Sequence, residues 1–241
     1  MSEVLRADNL VKTYGSRNVV NGVSLRVEAR EVVGLLGKNG AGKTTTFHMI
    51  TGIVRPTDGN IFIGGEDVTH MPMYRRARRG LGYLPQEESI FRKLTVEENL
   101  LCILETLAIP EEERRQRCDD LLFEFGIEHI RKSQAYKLSG GEKRRLSIAR
   151  CLATEPSILL LDEPFSGVDP IAVSDIKDII VALTRRGLSV LITDHNVRDT
   201  LEVVNRAYLI CDGKVESQGT SEFLVNDPIA RELYLGPRFN M

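Results

Sequence analysis

Eight consecutive residues constrain this chain more than any others: Gly37-Lys38-Asn39-Gly40-Ala41-Gly42-Lys43-Thr44. They fit G-x-x-x-x-G-K-[ST], with a strand-like run at residues 31–36 before them and a helical pattern after them. The glycines let the backbone approach phosphate oxygens, and successive N–H groups at a helix N-terminus form a nest for an anion. Lys43 is then expected to reach the β- and γ-phosphates of a nucleotide, with the Thr44 hydroxyl holding Mg²⁺. A Gly-rich turn with a surface lysine is the plainer alternative. The strand–loop–helix order weighs against it.

A second signal is acidic. The run Ile158-Leu159-Leu160-Leu161-Asp162-Glu163 reads as a buried strand that ends in two adjacent carboxylates. Side chains alternate along a strand, so Asp162 and Glu163 should point different ways. Asp162 suits a ligand of Mg²⁺, held through water. Glu163 is placed to orient or deprotonate an attacking water. Many strands end in acids, and it is the upstream phosphate loop that gives this pair its meaning.

Between these sites the pattern changes character. Residues 4–10, 24–27, 31–36 and 60–63 read as short strands broken by turns. From about residue 95 the period is helical, with Val96, Leu100, Ile103, Leu104 and Leu107 on one face and Thr95-x-x-Glu98 as a capping box. Pro110 opens the next helix, whose apolar face is Cys118, Leu121, Leu122 and Phe125. Strand–helix alternation returns at Ile158, with a helix striped by Ile176, Ile179, Ile180 and Leu183 and a strand at residues 189–192. A helix from about Asn196 follows, and a hairpin turns at Asp212-Gly213-Lys214. The simplest architecture is a single α/β domain over 1–241, with a mixed sheet and an antiparallel β edge. Its core comes from residues 1–87 and 158–241, and a helical subdomain is inserted at about 88–157.

Composition excludes several classes. Lys+Arg 32 against Asp+Glu 34 leaves a net charge of −2, so no global basic field points to nucleic acid. No apolar run approaches the roughly 18 residues of a spanning helix, and the N-terminus resembles neither a signal nor a transit peptide. Any membrane role is therefore expected through a partner, without direct insertion. Cys102, Cys118, Cys151 and Cys211 show no metal spacing and read as reduced core residues. The basic run Arg75-Arg76-Ala77-Arg78-Arg79 reads as a solvated helix face, with anionic headgroups as the lesser alternative.

Leu138-Ser139-Gly140-Gly141-Glu142 carries two compatible readings. Ser139-x-x-Glu142 is a capping box, and a capped N-terminus preceded by glycines is also an anion site. With this string the sequence resembles the ATP-binding cassette (ABC) ATPase family over essentially its whole length. The matches are Walker A at 37–45, the Q-loop Gln86 in Leu84-Pro85-Gln86, the signature 138–142 and Walker B at 158–163. The D-loop Ser166-Gly167-Val168-Asp169 and the switch His195 in Thr193-Asp194-His195 complete the order.

The resemblance implies an ATPase with ATP and Mg²⁺, working as a head-to-tail homodimer around two ATP molecules. Each ATP would lie between one protomer's Gly37, Lys38, Asn39, Gly40, Ala41, Gly42, Lys43, Thr44 and Thr45 and its partner's Ser139, Gly140, Gly141 and Glu142. It implies Glu163, His195 and Gln86 as catalytic, with Thr44, Gln86 and Asp162 at the metal and Ser166 and Asp169 in the D-loop. Tyr14 resembles the aromatic that stacks on adenine, although a half-exposed strand residue is the alternative. Glu142 stands where many members carry Gln.

Within the family, residues 82–94, 162–171, 193–198 and the tail 234–239 look like the ATPase subunits of lipopolysaccharide exporters. This implies a chain on the cytoplasmic face of the inner membrane, bound to two integral permease subunits that extract lipopolysaccharide toward the outer membrane. Branched-chain amino-acid importers are the nearer alternative. A soluble ABC protein on ribosomes or DNA is the more distant one, expected to carry two cassettes or a long coiled-coil insertion. The tail is expected to leave no room for a further regulatory domain. Ile90, Phe91 and Arg92 form an apolar-basic cluster suited to a groove for a permease helix, with Phe91 as core and Arg92 as solvated charge the alternative.

Overall fold

The computed structural model describes residues 3–87, 89–167, 169–237 and 239. Glu88, near which the helical insertion was expected to begin, Val168 of the D-loop string and Arg238 of the tail lie outside the described residues.

Two sheets organise the molecule. β1 (Glu3–Tyr14) and β2 (Arg17–Glu28) form an antiparallel hairpin. β3 (Val32–Leu36) leads through the glycine loop into α1 (Lys43–Thr51). β4 (Asp58–Ile63) and β5 (Glu66–Asp67) complete a four-stranded sheet in the order β2-β1-β4-β5. α2 (Met73–Ala77) and β6 (Leu81–Leu84) precede a helical stretch of α3 (Val96–Leu104), α4 (Glu111–Glu124) and α5 (Gly140–Leu152). Then β7 (Ile158–Asp162), α6 (Pro170–Arg185), β8 (Ser189–Thr193) and α7 (Val197–Val203) alternate. β9 (Arg206–Cys211), β10 (Lys214–Thr220), α8 (Ser221–Asn226) and α9 (Pro228–Ala230) close the chain, with a π-turn at Arg231–Leu235.

The second sheet runs β10-β9-β3-β8-β7-β6, parallel except for the antiparallel β9–β10 edge. Every residue of β3, β7 and β8 is buried, as a parallel sheet covered on both faces requires. The alternation divides them cleanly. Leu36, Leu159, Leu161, Val190 and Ile192 join the core shared with α3–α7, whereas Val33, Leu35, Leu160 and Leu191 face the antiparallel sheet and α1. Gly34 is required because β9 and the turn before it pack close. A Cβ there would come within 2.9 Å of Ala207 Cβ and 3.3 Å of Val204 Cγ1.

Three expectations change. The first strands extend well beyond residues 4–10 and 24–27, because Val20 and Val23 face the core while polar neighbours face water. Of the four cysteines only Cys118 is fully buried; Cys102, Cys151 and Cys211 are half-buried. The basic run is not a uniformly solvated face. Arg76 is 1% exposed and donates to the carbonyls of Met49 at 2.6 Å, Ile50 at 2.7 Å, Thr69 at 2.9 Å and Met71 at 2.9 Å. It satisfies the last carbonyls of α1, the usual role of a basic group at a helix C-terminus. No helix among the described residues is long and apolar enough to cross a membrane.

Candidate functional site

The phosphate loop is built by close backbone packing. Gly37 has φ 152°, and a Cβ there would come 2.2 Å from the Ile210 carbonyl; at Gly42, with φ 105°, a Cβ would lie 2.7 Å from the Val19 carbonyl. Only glycine fits either place. Gly42 caps α1 without a side-chain bond, so the first N–H groups are left for an anion. Lys43 is buried, and its Nζ donates to the Gly37 carbonyl at 2.6 Å and the Lys38 carbonyl at 3.1 Å. Burial pulls its ammonium below the ordinary value, opposed by the charges of Glu163, Asp162 and Asp194.

Facing the loop stand the residues after β7 and β8. The expected divergence of the two acids is present: Asp162 is buried and accepts a bond from the Tyr83 hydroxyl at 3.4 Å, while Glu163 turns to the loop. Burial, then the neighbouring Glu163 charge, raises the Asp162 carboxyl above its usual range. Glu163 sits at φ 48°, a left-handed conformation that side chains rarely adopt. Its Oε2 accepts from Gln86 Nε2 at 2.8 Å and lies 3.2 Å from His195 Nδ1. Two residues from two other loops thus converge on one carboxylate.

Asp194 was not among the expected site residues, and it organises this wall. Fully buried, it accepts from the Phe165 N–H at 2.9 Å and the Asn196 N–H at 2.8 Å, so it ties the loop after β7 to the loop after β8. Burial raises its carboxyl. Its signal in sequence was only its place beside His195.

A cavity of about 510 Å³ opens between loop and wall. Asn39, Gly40, Gly42, Lys43, Thr44 and Thr45 line one side, and Gln86, Glu163, Ser166 and His195 the other. Val19, which the sequence did not single out, also lines it. Tyr14 does not line it; it is 51% exposed at the end of β1, under the Lys12 ammonium. Asp169 is also outside the lining and caps α6, accepting from the N–H groups of Ile171 at 3.0 Å and Ala172 at 3.1 Å.

None of Ser139, Gly140, Gly141 and Glu142 lines this cavity. They form the capped start of α5. The Ser139 hydroxyl accepts from the Glu142 N–H at 3.3 Å and the Glu142 carboxylate accepts from the Ser139 N–H at 2.8 Å. The Ser139 hydroxyl also donates to the Glu142 carboxylate at 2.7 Å, and this bond, then the one from the Ser139 N–H, holds the Glu142 carboxyl below its usual range. Ser139 and Gly140 are exposed, and no atom would meet a Cβ at Gly140 within 4 Å. The capped end of α5 is exposed and takes no part in its own chain's cavity.

The cluster expected at residues 90–92 separates. Ile90 is 6% exposed and belongs to the core, so it cannot meet a partner directly. The reason is Asn99, fully buried, which accepts from the Phe91 N–H and donates to the Phe91 carbonyl, turning the segment inward at Ile90. Phe91 is exposed beneath the Arg150 guanidinium, 4.5 Å from the ring centre, and Arg92 is exposed. A groove of about 230 Å³ beside them is walled by Met73, Ala77, Tyr83, Ser89, Ile103 and Arg150. These come from elements far apart in the chain, which is why no local string announced it.

Sheet, glycine loop and acidic wall together define a P-loop nucleotide-binding protein. The chain belongs to the ABC transporter family, whose model matches residues 20–166. The lipopolysaccharide export system ATP-binding protein LptB of Haemophilus influenzae is 56% identical over 239 residues, 99% of each chain. The protein of the same name from Escherichia coli K12 is 52% identical, covering 98% of this chain and 99% of its own. An uncharacterized ABC transporter ATP-binding protein of Rhizobium meliloti is 58% identical over 98% of this chain and 88% of its own. Among solved structures, the ADP conformation of an ATP-binding cassette of an ABC transporter matches with a TM-score of 0.88 at 26% identity, over 98% of this chain and all of that one.

Proposed function

We propose that this chain is the ATP-hydrolysing subunit of a lipopolysaccharide exporter, attached to the cytoplasmic face of the inner membrane through two permease subunits. The observation that carries the chemistry is the convergence of Gln86 and His195 on Glu163 across the cavity from Lys43. The lipopolysaccharide substrate is supported by the full-length similarity to proteins named for that export.

Lys43 and the N–H groups at the start of α1 receive the triphosphate; Lys43 leaves its loop carbonyls for phosphate oxygens. Glu163 orients a water and takes its proton as the water oxygen bonds to the γ-phosphorus. The bond to the bridging oxygen breaks, giving ADP and phosphate. Gln86 and His195 hold the carboxylate in place, and His195 lines the same cavity as Lys43, where the γ-phosphate would lie. The donor set fits Mg²⁺. The Thr44 hydroxyl, the Gln86 amide oxygen and the Asp162 carboxylate would offer it hard oxygens, and a divalent cation would offset the cost of the buried Asp162 charge. When bound, the ion supplies charge neutralisation on the phosphates.

The outward signature end of α5 supports a head-to-tail dimer, each cavity completed by the partner's Ser139, Gly140 and Gly141. Tyr14 is assigned to the adenine and residues 88–157 to a helical subdomain. The groove between Met73, Ile103 and Arg150, flanked by Phe91 and Arg92, is assigned to a permease helix.

Complementation tests the assignment. In a strain depleted of its own lipopolysaccharide-export ATPase, this chain should restore growth and Glu163→Gln should not. A chain that is expressed, hydrolyses ATP and joins the membrane yet leaves lipopolysaccharide in the inner membrane would overturn the substrate.

A further inference from the structure

The C-terminal tail takes no part in the site motifs, yet it reaches the phosphate loop. In the π-turn Arg231–Leu235 the Arg231 guanidinium clasps the chain on both sides, donating to the carbonyls of Val225 at 2.7 Å, Pro237 at 3.1 Å and Phe239 at 3.4 Å. Tyr234, Leu235 and Phe239 pack on the core that contains Leu36, the last residue of β3. The Tyr234 hydroxyl comes near the Gly37 backbone. The hydroxyl is buried against the Gly37 amide, at an approach looser than a regular hydrogen bond, and has no other partner among the described residues. Burial, with Asp194 and Glu163 nearby, pushes the phenol up to about 12, so it stays a neutral group able to donate and accept.

A buried hydroxyl without a full partner calls for an explanation, and Gly37 supplies one. Its carbonyl is held from the cavity side by Lys43 at 2.6 Å, and its α-carbon has no slack against Ile210. When Lys43 transfers to phosphate, the peptide unit after Gly37 loses that bond and the loop must settle anew. We propose that Tyr234 is a positioning residue for nucleotide binding: its hydroxyl closes a full hydrogen bond with the Gly37 amide as the loop tightens on the triphosphate. Tail seating and nucleotide occupancy then favour one another, as two ligands of one conformation do. This rests on the reading of the loop as the triphosphate site.

The test is Tyr234→Phe in the full chain, which keeps the ring and removes only the hydroxyl. We expect the Kd for Mg-ATP to rise about 3- to 10-fold, one decade being the effect of a single lost interaction of about 1.4 kcal/mol. KM should rise with it while kcat at saturating ATP changes less than about twofold. The melting temperature without nucleotide should hold or rise, and the increase produced by ATP should shrink. Arg231→Met, which opens the clasp, should weaken ATP binding in the same direction. A Kd and an ATP-induced melting shift unchanged in Tyr234→Phe would overturn the role, leaving the tyrosine as packing. Failure of the unaltered chain to bind ATP would instead overturn the site reading, and this inference with it.

Discussion

Glu163 and Asp162 are neighbours in sequence with opposite environments, and each predicts its own phenotype. Glu163→Gln keeps the side-chain shape and the bond from Gln86 but removes the base. Turnover should fall by at least about 100-fold while ATP affinity stays within about twofold, as equilibrium binding and phosphate release would report. Near-normal hydrolysis would remove Glu163 from the role of base. Asp162 is buried with its carboxyl raised, so its ionised form costs the native state stability at every pH above that raised value. Asp162→Asn should therefore melt about 2–4 °C higher at neutral pH for each ~1 kcal/mol relieved, and still lose Mg²⁺-dependent turnover. The gain should shrink as pH falls and the native carboxyl takes its proton. A variant that melts lower at pH 7 and higher at acid pH would reverse the sign and refute the account.

At the scale of the element, the first turn of α5 joins an observed cap to a proposed contact. Its capping box satisfies two N–H groups at the helix start, and the same exposed end is the proposed contact for the partner's nucleotide. Ser139→Ala should cost about 1 kcal/mol of stability from the lost cap and reduce ATPase activity far more than that loss explains. Glu142→Gln preserves the reciprocal bond and loses only the charge that the bonds from Ser139 favour, so it should lower melting far less than Ser139→Ala does. If Ser139→Ala lowered melting but left turnover intact, α5 would be a structural helix and no more.

Elements whose signal is local were legible in the sequence. The strands β7 and β8 announce themselves by the apolar runs at residues 158–161 and 190–192, and α3 and α5 by capping boxes whose reciprocal bonds are present. The strand–glycine loop–helix unit and the two carboxylates at the end of β7 were equally plain. What was not legible depends on distant partners. Arg76 looked solvated because the carbonyls that bury it belong to the end of α1 and the turns after β5. Ile90 looked available because Asn99, which turns it inward, is an ordinary polar residue until it is placed inside a helix with no exposure. The groove walls come from α2, α3 and α5 at once, and no window of sequence spans them.

For the whole molecule, the cavity and the capped end of α5, the two halves of the proposed ATP site, lie on different surfaces of one chain. The cavity gathers the phosphate loop with Gln86, Glu163, Ser166 and His195, while the Ser139 end of α5 is exposed elsewhere. A C2 pair resolves this, because each protomer then presents the same two surfaces to the other and both cavities are completed at once. Mixed dimers decide the point. Glu163→Gln disables the base, and Gly141→Asp places a negative charge at the signature. A Cβ at Gly141 has only the Ala172 Cβ near it, at 3.8 Å, so the substitution leaves the fold intact. Neither variant should hydrolyse ATP alone. In a mixture, the Gly141→Asp protomer supplies an intact Glu163 and the Glu163→Gln protomer an intact signature, so each heterodimer holds one complete site. With random pairing, about a quarter of the wild-type sites should be restored. Sites built within single chains would leave the mixture as inactive as its components, because neither chain carries both halves.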